Sequence, residues 1–123
     1  MSVALIILGH GSRNPAATEQ FHDLIAQLRE RRGESVYPAF MELAEPSLAA
    51  AVAEAVTAGA DEIVVQPCFL FDGNHIRRDV PELLAALAAE HAAVAFRFGR
   101  PIGADARVAD ILLERAEVAA CLA

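Results

Sequence analysis

The chain has 123 residues, a formal charge of −7 from 17 acidic and 10 basic side chains, and two cysteines. That length suits one domain with its own hydrophobic core. The acidic balance, with no basic run longer than Arg31-Arg32 or Arg77-Arg78, excludes a nucleic-acid or anionic-membrane surface. All ten basic residues are arginine, which excludes a Walker-type phosphate loop and a lysine Schiff base.

In chain order, residues 3–8 (VALIIL) form a short apolar run bounded by glycine, the pattern of a buried strand. The run stops at Gly-His-Gly-Ser-Arg, so His10 is expected where the strand ends and the chain turns toward a helix. Residues 15–32 carry Phe21, Leu24, Ile25 and Leu28 at helical spacing, with Asn14 as N-cap, Pro15 at the first helical position and Gly33 closing the helix. Residues 35–42 (SVYPAFME) read as a second strand, placed at a sheet edge because Pro38 lacks a donor. A helix follows, opened by Pro46 and ended at Gly59.

Residues 61–71 (DEIVVQPCFLF) form the most β-like run in the chain. A loop, DGNH, leads into a helix over residues 76–91 that Pro81 begins or kinks. Residues 93–98 make a fourth strand and residues 104–122 a last helix. Four strands alternating with four helices over short connections predict an α/β fold. Residues 1–123 are then a single three-layer domain around a four-stranded parallel sheet. In the flavodoxin-like order 2-1-3-4, the carboxyl ends of the first three strands lie side by side, where open α/β sheets bind ligands.

Those three ends carry His10, Glu42 and His75. Each has an ordinary alternative: a turn histidine bonding a carbonyl, a solvated strand end, an idle residue before a helix. Together, two imidazoles and a carboxylate suit a divalent iron, cobalt, nickel or zinc ion and supply bases that titrate near neutrality. His22 and His91 are read as surface residues, Cys68 as a small core residue, and Cys121 as having no partner. The unpaired cysteines and the lack of a leader-like or membrane-spanning segment give a cytoplasmic expectation.

The segments LGHGSRNP, FMELAEPSL and QPCFLFDGNHIRRDVP, in that order across essentially the whole chain, resemble the short form of the CbiX and SirB chelatases. The resemblance implies a fold like half of a ferrochelatase. The implied activity is ATP-independent insertion of a divalent metal into sirohydrochlorin, with cobalt favoured over iron or nickel, for cobalamin or sirohaem synthesis. It further implies a homodimer and no permanently bound cofactor, the metal being a substrate. Carried onto this sequence, the metal-binding and proton-accepting residues are His10, Glu42 and His75, without deciding which imidazole is base and which is ligand.

A substrate with many carboxylates must be held against a net acidic protein by local groups. Arg13, Arg77 and Arg78 flank the histidine motifs, and Arg100 follows the fourth strand. Ser12, Asn74 and the amides of Gly11 and Gly73 stand at helix starts, and Leu70 and Phe71 are candidate wall or interface residues. Two rivals remain: a hydrolase, opposed by the missing G-x-S-x-G elbow, and a metal or tetrapyrrole carrier without turnover.

Overall fold

The computed structural model describes residues 2–122, apart from the side chains of Asn74, His75 and Ile76. Along these residues run β1 (Val3–Gly9), α1 (Pro15–Arg32), β2 (Val36–Phe40), α2 (Leu48–Thr57), β3 (Glu62–Pro67), α3 (Asn74–Glu90), β4 (Ala95–Phe98) and α4 (Ala106–Glu117). The strands form one parallel sheet in the order β2-β1-β3-β4, as the alternation of elements predicts.

β1 is a central strand covered on both faces, which is why it reads as an unbroken apolar run rather than an alternating one. Ala4, Ile6 and Leu8 face α2 and α3, where they meet Leu48, Val52, Val80, Leu84 and Leu87. Ile7 faces the other way, toward Ile25 of α1 and Val36. A fully buried side chain such as Ile6 contributes about 1.5–3 kcal/mol. Pro38 is tolerated because β2 pairs only with β1, so the missing donor faces no second strand.

The helix starts follow from local chemistry. Asn14 Oδ1 accepts from the Ala16 amide at 3.0 Å and Pro15 opens α1, as the sequence predicts. α2 starts later than Pro46, because Ser47 is the cap, its Oγ accepting from Ala50 N at 3.1 Å. α3 begins at Asn74, inside the segment expected to be a loop, and runs on through Pro81. β2, β3 and β4 are shorter than their apolar runs.

α4 stands apart from the other three helices. None of its residues is buried, and Ile111, Leu112 and Leu113 are 50%, 64% and 71% exposed. Among the described residues, no helix is long and apolar enough to cross a membrane.

Candidate functional site

The carboxyl ends of β1 and β2 are joined beyond the strands themselves. Met41 N donates to Gly9 O at 3.0 Å, and Glu42 N donates to His10 O at 3.2 Å. The backbones come so close that a Cβ on Gly11 would lie 1.7 Å from the Glu42 carbonyl oxygen, and Gly11 also has φ of +99°. Only glycine meets both demands. The Gly-His-Gly stop is therefore a packing requirement: it lets the β2 end lie against the turn that carries His10. The Phe21 ring covers Gly9 and packs on Phe40 at 4.9 Å between centroids.

His10 is exposed, with its ring edge-on to the buried Phe69 at 5.7 Å and 70°. Ser12 Oγ accepts from Asn14 N at 3.0 Å, so this hydroxyl braces the start of α1 and keeps its own proton to donate. Arg13 is exposed. Glu42 is exposed on the loop after β2, beside a cavity of about 570 Å³ that Leu43 and Glu45 also line. Leu43 has φ of +64°, uncommon for a leucine, and its side chain is exposed.

Across β1, Cys68 N donates to Leu8 O at 2.8 Å and carries the ladder one residue past β3. Cys68 was expected within the strand; it lies half-buried just beyond it, against the α1-side core. Burial pushes its thiol pKa up, in keeping with a packing role rather than a thiolate ligand. Leu70 and Phe71 are exposed. Arg77 bonds Asp72 at 3.1 Å, so its guanidinium is partly engaged, whereas Arg78 is exposed. The side chains of Asn74 and His75, both expected in the site, lie outside what the structure describes.

The segment leaving β4 completes this edge. Ile102 N donates to Phe69 O at 2.9 Å, and Gln66 Nε2 donates to Arg100 O at 2.7 Å and to Pro67 O at 3.1 Å. Together with Phe71 and Asp72, residues 100–105 enclose a cavity of about 350 Å³. Asp105 caps α4 and is gripped by Arg107 at 2.8 and 2.9 Å, which holds its carboxyl well below the usual carboxylate range.

His10 and Glu42 thus stand on adjoining strand ends. Among the described residues, no three His, Cys, Asp or Glu side chains are gathered closely enough to hold a metal ion. His22 is exposed, as expected, with its ring edge-on to Phe40 at 6.0 Å. His91, expected at the surface, is half-buried where α3 ends, because Val94 N bonds its carbonyl and folds the chain back toward β4. Sequence reasoning missed Gln66, a lone polar residue in the most β-like run, and Leu43. The only local hint of Gln66 is its polarity.

A family model, CbiX, matches residues 4–119. The sirohydrochlorin cobaltochelatase of Methanocaldococcus jannaschii is 33% identical over 141 residues, spanning 92% of this chain and 96% of that protein. The chloroplastic sirohydrochlorin ferrochelatase of Arabidopsis thaliana is 35% identical over 112 residues, covering 90% of this chain but 50% of that protein. A crystal structure of the sirohydrochlorin chelatase SirB from Bacillus subtilis subspecies spizizenii in complex with cobalt superimposes with a TM-score of 0.89 at 29% identity. The match covers 95% of this chain and 50% of SirB. This chain therefore spans about half the length of these last two relatives.

Proposed function

The chain belongs to the CbiX family, and from that premise we propose that it inserts a divalent metal ion into sirohydrochlorin without nucleotide hydrolysis. The observation that carries this reading is the junction of the β1 and β2 ends. It sets an exposed imidazole and an exposed carboxylate on neighbouring strands at the ligand-binding edge of a parallel sheet. Cobalt is the preferred ion, because the relative matched along nearly its whole length is a cobaltochelatase. The ion is a substrate, and no resident cofactor takes part.

Insertion removes two pyrrole N–H protons and exchanges the ion's water shell for four ring nitrogens. His10, exposed at this edge, takes one pyrrole proton, passes it to water and takes the second in turn, since a neutral imidazole is a competent base near pH 7. Glu42 and His75 hold the incoming ion weakly, leaving positions open for the macrocycle; a closed set of four protein ligands would trap it. Ser12, Arg13, Asn74, Arg77 and Arg78 receive the carboxylate arms, with the Arg77 bond to Asp72 yielding in part to the substrate.

A flat macrocycle needs a wall on each face, and one sheet edge supplies one. We therefore assign the working unit as a homodimer. The exposed side chains of Ile111, Leu112 and Leu113 on α4 support this, since large apolar side chains gathered on a helix with no buried residue are expected to be covered. So does the match to half of SirB, a protein about twice as long. The reaction is assigned to the cytoplasm, in keeping with the free thiols of Cys68 and Cys121.

The test is an anaerobic absorbance time course with sirohydrochlorin in excess over protein and Co²⁺, Fe²⁺ or Ni²⁺ offered separately. Multiple turnovers above the blank, fastest with Co²⁺ and lost in a folded His10→Ala protein, are expected. At most one metal per site would make the chain a carrier, and full activity in His10→Ala would remove the imidazole from the mechanism.

A further inference from the structure

We infer that Gln66 is a positioning residue that fixes Arg100 at the cavity beside Phe71, where the Arg100 guanidinium anchors a carboxylate arm of the tetrapyrrole. This rests on the function proposed above and adds to it a carboxylate subsite and the device that builds it.

A primary amide has two N–H donors, and Gln66 directs both at backbone carbonyls, Arg100 O at 2.7 Å and Pro67 O at 3.1 Å. No other neutral side chain of that length can do the same. Its Oε1 lies 2.0 Å from where a Cβ on Gly99 would sit, so the glycine makes room for the amide. Gly99 N donates to Val65 O and Ile102 N to Phe69 O, both at 2.9 Å. The chain from Gly99 to Ile102 is thus strapped to the end of β3 at three points, two of them main-chain and the third the Gln66 side chain.

What the strap presents is Arg100, a cation with no side-chain hydrogen bond or ion pair among the described residues. Two acids line the 350 Å³ cavity with Arg100. Asp72 is bonded by Arg77 at 3.1 Å and Asp105 by both arms of Arg107. Arg100 lies within electrostatic reach of Asp105 but makes no ion pair among the described residues. In a chain of net charge −7, a polycarboxylate is held only where local charge reverses sign, and a guanidinium suits a carboxylate geometrically.

The test combines steady-state metal insertion with fluorescence titration of metal-free sirohydrochlorin, at low and high salt. Arg100→Ala should raise KM and Kd roughly five- to tenfold, with kcat within twofold and a weaker salt dependence. Arg100→Lys should recover part of the loss. Gln66→Met, which keeps length but donates nothing, should raise KM roughly threefold, and that effect should disappear in the Arg100→Ala background. Gly99→Ala, which drives the amide aside, serves if Gln66→Met does not fold.

Unchanged KM and Kd in Arg100→Ala would overturn the anchor. A Gln66→Met effect of equal size in both backgrounds would show that the strap does not act through Arg100. Should the wild-type protein bind sirohydrochlorin without turnover, the chelatase reading fails while the titrations still decide this one. Absence of binding would overturn both.

Discussion

Gly11→Ala is the smallest change expected to separate the two strand ends that carry His10 and Glu42. The new Cβ would fall 1.7 Å from the Glu42 carbonyl oxygen, where an unstrained carbon–oxygen contact needs about 3.3 Å. The β2 end must then retreat by about 1.5 Å, enough to break the Glu42 N to His10 O bond, already 3.2 Å long. The residue also has φ of +99°, which costs an alanine about 1–3 kcal/mol, and crowding adds a similar amount. A total of about 2–6 kcal/mol lowers Tm by roughly 8–25 °C for a domain of this size. Gly33→Ala is the control, because Gly33 has φ of +107° but nothing within 4 Å of its added Cβ. Circular-dichroism melts of both variants, with metal-insertion rates at a temperature where both are folded, separate strain from collision. Gly11→Ala should be the less stable and lose at least 100-fold in rate, while Gly33→Ala keeps its rate. Equal melting points with an intact Gly11→Ala rate would refute the reasoning.

Replacing Arg77 and Arg78 together by Ala should raise KM for sirohydrochlorin more than it lowers kcat, since the two act by uniform binding; a fall in kcat alone would move them into the chemistry. Leu112→Asp with Leu113→Asp should convert a dimer to a monomer in light scattering while the far-UV circular dichroism of the fold is kept, because neither side chain is packed within its own chain; a wild-type monomer would contradict the pairing. Alkylation at pH 8 should label the exposed Cys121 first. Burial raises the Cys68 pKa, leaving less thiolate at that pH, so equal labelling by mass spectrometry would count against its packing role.

Much of this fold was legible because its causes are local. An apolar run without alternation marks a strand covered on both faces, as β1 is. Asn14 followed by Pro15 marks a helix start, and a proline in a strand marks an edge, as Pro38 does in β2. The start of α3 was misplaced for an equally local reason: its cap is Gly73, which has no side chain to signal with. The polar letters DGNH then looked like a loop.

The sequence by itself determined the α/β alternation and the positions of His10 and Glu42 at strand ends, since each depends on residues adjacent in the chain; the order 2-1-3-4 was expected only by likeness to flavodoxin-like sheets, and the strand pairing bears it out. Tertiary structure alone decided why Gly11 must be glycine, because the atom it would strike belongs to Glu42 on another strand. It alone decided what Gln66 does, because its partner Arg100 follows β4, 34 residues on. It alone left α4 uncovered. An amphipathic pattern records that a helix has an apolar face, but what covers that face is a matter of distances through space, which spacing along a chain does not encode.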